Sequence, residues 1–141
     1  MSLQKNDTAV VTIEDMTTDG DGIGKADGFT LFIKDAVVGD VAEVRVIKAK
    51  KTYGYGRIIN IIKPSTDRVE APCPVARTCG GCQIQEMSYE SQLVYKQKLV
   101  AGNIARIGGI SEYEMCPIIG MEEPFHYRNK AQYPVGRDNT G

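Results

Sequence analysis

The chain has 141 residues, room for one domain or for one small domain and part of a second, and its 42% hydrophobic and 25% charged residues exclude wholesale disorder. The 17 Lys and Arg against 18 Asp and Glu leave a net charge of −1, so the sum is silent on nucleic acid and the distribution along the chain must decide. The 15 glycines and the absence of tryptophan point to short strands and tight turns, and no apolar run approaches the roughly 18 residues of a membrane span.

Residues 8–63 carry an all-β pattern. Ala9–Glu14 is a first strand, and the glycine-dense Asp19-Gly20-Asp21-Gly22-Ile23-Gly24-Lys25 implies a bent strand or a close backbone approach. Ala26-Asp27-Gly28 is a hairpin signal. Phe29–Lys34 then alternates, with Phe29, Leu31 and Ile33 on one face and Thr30, Phe32 and Lys34 on the other. Val38-Gly39-Asp40 is a turn, Val41–Lys48 a strand with Val44 and Val46 inward and Arg45 outward, and Arg57–Lys63 the last strand before Pro64. Five short strands within about sixty residues predict a small closed barrel rather than a sandwich.

Residues 64–88 hold Pro64, Pro72 and Pro74 and three cysteines with little periodicity, as expected of a linker entering a cysteine loop. Residues 89–107 predict a helix, with Tyr89, Leu93, Val100, Ile104 and Ile107 on one stripe, Ser88 as N-cap and Gly108-Gly109 as stop. Lys96 and Gln97 interrupt the stripe, so imperfect burial is expected. Weak strands are predicted at Ile118-Ile119 and Ala131–Val135, and a hairpin turn at Arg137–Gly141 with no second strand after it, the pattern of a truncated core. The expected organisation is therefore a barrel over 1–63, a linker and cysteine loop over 64–88, and an incomplete α+β unit over 89–141.

The window from Arg45 to Arg57 contains five basic residues, among them Lys48, Lys50 and Lys51, and no acidic one. Alternation places Tyr53, Tyr55 and Arg57 on one strand face. Cations meet phosphates and flat rings stack on unpaired bases, so the combination predicts a platform for single-stranded nucleic acid, while Glu14, Asp15, Asp19 and Asp21 should face elsewhere. A solvated basic hairpin with tyrosines capping the barrel is the competing interpretation.

Cys73, Cys79 and Cys82 are spaced C-x5-C-x2-C, with Gly80-Gly81 between the last two. Nothing in Met1–Asp7 resembles an apolar signal core, so a cytoplasmic location is expected, where cysteines imply metal or chemistry before disulfides. An iron–sulfur cluster, a structural zinc ion and plain buried thiols all compete on spacing alone. Cys116 and His126 are the remaining metal-binding side chains of cysteine and histidine type, and neither has a partner at ligand spacing.

These residues carry a resemblance. Asp19-Gly20-Asp21-Gly22-Ile23-Gly24-Lys25, Phe29-Thr30-Leu31-Phe32-Ile33 and Gly39-Asp40 make residues 4–63 similar to a TRAM domain, a small OB-like RNA-binding barrel. Pro72-Cys73 through Cys79-Gly80-Gly81-Cys82-Gln83, then Tyr95-Lys96 and Phe125-His126-Tyr127-Arg128-Asn129-Lys130, resemble, in order, the S-adenosylmethionine-dependent RNA uridine-5-methyltransferases, most of all those of 23S ribosomal RNA.

The resemblance implies that Cys73, Cys79 and Cys82 are three ligands of a [4Fe-4S] cluster, that the fourth lies after this segment and is not Cys116, and that the S-adenosylmethionine site, catalytic cysteine and general base lie further on. In that family a cysteine thiolate adds to C6 of the uracil, C5 takes the methyl group, and a base removes the C5 proton before the thiolate leaves. No residue of this chain is expected to do that chemistry, so the chain alone is expected to be inactive, monomeric and an RNA binder. Arg128 and Lys130 are candidate phosphate contacts beside Lys48, Lys50, Lys51, Tyr53, Tyr55 and Arg57. The alternative is a free-standing TRAM-type module with a structural zinc site.

Overall fold

The computed structural model describes residues 3–132 and 135–137. Five strands, β1 (Thr8–Met16), β2 (Gly22–Ala26), β3 (Phe29–Lys34), β4 (Val41–Ala49) and β5 (Tyr53–Lys63), close into a barrel in the order β1-β2-β3-β5-β4. Neighbours are antiparallel except β3 and β5, which run parallel. The β2–β3 hairpin turns on Asp27 and Gly28, both at positive φ (49° and 80°), the geometry that matches strand twist in a two-residue loop.

The core is the inward half of each alternation: Val11 and Ile13, Leu31 and Ile33, Val44 and Val46, with Phe29, Ala42 and Ile58. So small a ring leaves no room for a side chain at every inward position. Gly22 and Gly24 on β2 and Gly54 and Gly56 on β5 fill those places, and a Cβ on Gly22 would lie 2.7 Å from Ala36 Cβ. The dense glycines are thus explained by close approach. The last strand starts at Tyr53 rather than Arg57, because its inward positions are these glycines and the hydrophobic periodicity passes over them.

One buried carboxylate locks the barrel to the linker beyond β5. Asp40, fully enclosed, accepts from the backbone N–H of Val37 (2.8 Å) and Ser65 (2.9 Å) and from Arg68 Nη2 (2.7 Å). Arg68 also donates to Glu86 Oε2 (2.9 Å) and the Asp35 carbonyl (2.7 Å), and forms a β-bridge with Met87. Burial alone would raise the Asp40 pKa, but the Arg68 and backbone hydrogen bonds outweigh it and hold the carboxyl below its ordinary value.

Two helices complete the described chain, the single turn α1 (Ala76–Cys79) and α2 (Tyr89–Arg106), the latter capped by Ser88, whose side chain accepts from Ser91 N–H. Tyr95 Oη donates to the Thr17 carbonyl (2.6 Å) and Lys98 pairs with Asp15 (2.7 Å), so α2 rests against the β1–β2 end of the barrel. No residue of α2 is buried, and Val94 stays 69% exposed. The strand predicted at Ile118-Ile119 is not formed: residues 107–132 have no regular element and instead hang on α2, Ile118 N–H donating to Gln97 and Met121 N–H to Tyr89 Oη. Of the second predicted strand, Tyr133 and Pro134 lie outside the described residues, as do 138–141 of the predicted turn.

Candidate nucleic-acid interface and cysteine loop

The parallel β3–β5 register sets Phe32 beside Tyr55, Thr30 beside Tyr53 and Lys34 beside Arg57. Because Leu31, Ile33, Gly54 and Gly56 point inward, all six of these side chains share the outer face. Phe32, Tyr53 and Tyr55 form a closed triangle of rings with centroids 5.7, 5.8 and 5.9 Å apart. Its edges are tilted or T-shaped, the geometry ring quadrupoles favour, and Tyr55 keeps 36% of its surface exposed.

Cations frame the triangle. The β4–β5 register brings Lys48 opposite Tyr55 and Arg45 opposite Arg57, and β2 brings Lys25 opposite Thr30. Lys50 and Lys51 sit in the exposed turn before Tyr53. Among the described residues, Lys25, Lys34, Arg45, Lys48 and Arg57 take part in no ion pair. Glu14 and Asp15 lie on β1, which borders β2 and β4 and so stands across the ring from β3 and β5. Asp21 does not fit that separation as well. Its burial raises its pKa, and Lys34 is near enough to oppose the rise.

Sequence reasoning placed Phe32 and Lys34 together on one face of their strand without assigning them to the site. Their parallel pairing with β5, a crossover no local pattern announces, is what brings them to Tyr55 and Arg57. Arg128 and Lys130 do not join this face. Both are exposed, and Arg128 lines a separate cleft with no barrel strand in its wall.

The cysteine loop packs on the same end of the barrel. Arg77 of α1 reaches toward Asp35 (3.9 Å) and Glu86 (4.0 Å), Lys34 Nζ lies beside Gly80, and Gln83 packs on Gly20. Gly80 ends α1 in the left-handed conformation (φ 71°), which turns the chain between Cys79 and Cys82. All four cysteines are free; Cys73 and Cys79 are half-buried, Cys82 and Cys116 exposed. Soft thiols suit iron or zinc by chemistry, yet among the described residues no three His, Cys, Asp or Glu side chains come together to hold a metal ion. As folded here, Cys73, Cys79 and Cys82 therefore do not fit either group.

A small closed five-stranded barrel with rings and cations gathered on one outer face belongs to the OB-like class of folds. The TRAM domain model matches residues 3–59 of this chain. Nearly the whole chain is similar to proteins named uncharacterized RNA methyltransferase: 55% identical to one from Halalkalibacterium halodurans over 99% of this chain and 30% of that protein, and 46% identical to one from Clostridium tetani over 96% and 29%. The chain thus spans about 30% of the length of these curated relatives. Among solved structures, it is similar to a conserved Methanococcus maripaludis protein (34% identity, 41% of this chain and 83% of that one, TM-score 0.39). It is also similar to the Pyrococcus abyssi tRNA (uracil-54, C5)-methyltransferase in complex with S-adenosyl-L-homocysteine (28% identity, 76% and 23%, TM-score 0.45).

Proposed function

We propose that this chain is the RNA-gripping part of an S-adenosylmethionine-dependent RNA (uracil-C5) methyltransferase that acts on ribosomal RNA. The observation that carries the RNA half is the triangle of Phe32, Tyr53 and Tyr55 framed by unpaired cations. Rings accept unstacked bases of any sequence, and the surrounding Lys and Arg neutralise the phosphates between them. An enzyme that modifies a base in place has to take it out of its stack, and a grip on the flanking strand holds the RNA while that happens. Similarity along nearly the whole chain to proteins named RNA methyltransferase, of which it spans about 30%, supports part of an enzyme over a free-standing module. Methyl transfer, the S-adenosylmethionine site and the choice of 23S ribosomal RNA belong to the longer protein in this proposal, and the chain alone is inactive.

The cysteine loop enters the proposal through its spacing. Cys73, Cys79 and Cys82 would take a [4Fe-4S] cluster only after the loop closes and a fourth ligand arrives from outside these residues. The test of the main proposal is binding of single-stranded RNA across a salt series. Log K should fall by about 0.7 per phosphate contact per log unit of salt, and replacing Lys48, Lys50 and Lys51 with alanine should flatten the slope. A slope that the triple variant leaves unchanged places the RNA on another surface.

A further inference from the structure

We propose that the cleft between the cysteine loop, α2 and residues 121–128 is the seat of one unstacked nucleotide of the RNA that the barrel holds, a subsite that rests on the RNA-binding function proposed above. The cleft measures about 520 Å³, within the range of small-molecule sites. Its wall carries the rings of Tyr89, Phe125 and Tyr127 and the cations Lys96 and Arg128. Among its 14 lining residues there is no carboxylate, in a chain with 18 Asp and Glu. The contrast lies next door: the groove between α2 and the barrel is lined by Glu14, Asp15, Asp67 and Glu90 against the one cation Lys98, a balance that disfavours a phosphate.

Two further observations point to a base. Gln85 lines the cleft and its Oε1 is enclosed without a hydrogen-bond partner, so turning this side chain into the cleft to accept from the amino or imide N–H of a nucleobase gives up no existing hydrogen bond at that oxygen. His126, between Phe125 and Tyr127, is held at a positive φ of 65°, an unusual backbone state for a side chain of that size and one that recurs at ligand-binding positions. The cleft also adjoins the barrel face. Lys34 Nζ of the ring-bearing surface lies beside Gly80, and Gly81 and Cys82, next in the chain, form the cleft wall. A strand leaving Phe32 and Tyr55 past Lys34 would cross the cysteine loop and arrive here.

The test uses the full 141-residue chain in reducing buffer and single-stranded RNA oligomers of about 4 and about 16 nucleotides, the range of lengths that barrels of this class occupy. A single 4-thiouridine is scanned along the longer oligomer, cross-linked by light, and mapped by mass spectrometry. Positions linking to the Tyr53–Arg57 peptide and others linking to the Phe125–Arg128 peptide are expected. Phe125→Ala, at a residue 45% exposed, and Gln85→Leu, on a separate segment, should each weaken the long oligomer about tenfold and leave the short one unchanged. Unchanged short-oligomer binding also reports that each variant is folded. Cross-links confined to the barrel, with equal affinities for both lengths in both variants, would overturn the subsite and leave the barrel grip standing. No binding of either oligomer by the wild-type chain would overturn the RNA function, and the subsite with it.

Discussion

Replacing Phe32 with leucine separates stacking from charge on the barrel face. Leucine keeps apolar bulk over Tyr53 and Tyr55 but removes the ring that both contact, at 5.7 and 5.8 Å between centroids. Each aromatic pair contributes about 0.5–1.5 kcal/mol beyond burial, so the loss of two costs the barrel up to about 3 kcal/mol, offset in part by the leucine. A base that stacks on this face loses about 1–3 kcal/mol, which raises Kd roughly 5- to 150-fold. Fluorescence anisotropy with a single-stranded RNA, at a temperature where circular dichroism shows the variant folded, measures the change. Because leucine alters no charge, the slope of log K against log salt should stay as in the wild type. Lys34→Ala should do the reverse, lowering the slope by about 0.7 for one lost phosphate contact with a smaller change in affinity. A Phe32→Leu variant that is folded and binds with wild-type affinity would refute base stacking on the triangle.

Acid should unfold the barrel through Asp40. Its folded pKa lies below the ordinary carboxylate value, so the stability it adds is present above the unfolded pKa of about 3.9 and is lost as pH falls through the lower, folded value. Asp40→Asn, which leaves Arg68 without its buried partner, should cost about 3 kcal/mol at neutral pH by urea unfolding and reduce the pH dependence below about 4. Gly56→Ala should destabilise the barrel by about 1–3 kcal/mol in the same assay, since its Cβ would overlap Val44 Cγ1, whereas Gly28→Ala meets no neighbouring atom and strains only a positive φ. In the longer protein that supplies the fourth ligand, anaerobic reconstitution with iron and sulfide should produce broad visible absorption that Cys82→Ser diminishes, and a colourless protein carrying one zinc ion would give the loop to zinc instead.

The barrel was legible because its signals are local. Alternation in Phe29–Lys34 and Val41–Lys48, the Asp27-Gly28 turn and the glycines of β2 each follow from neighbours in sequence. The site was half legible for the same reason: Tyr53, Tyr55 and Arg57 share a face by period two, but Phe32 and Lys34 join them only through a parallel crossover. Asp40 gave no sign of its role, since its partner Arg68 is 28 residues away and sits in a segment without periodicity. Beyond Arg106 apolar residues such as Ile118 and Ile119 looked like strand, yet a strand needs a neighbour to satisfy its ladder, and the described residues supply none.

Titrating isotopically labelled protein with a single-stranded RNA and following backbone and ring resonances tests the grip most directly. Shifts should concentrate on Phe32, Lys34, Tyr53, Tyr55 and Arg57 and leave Glu14 and Asp15 of β1 still; shifts centred on β1, or none at saturating RNA, would contradict it.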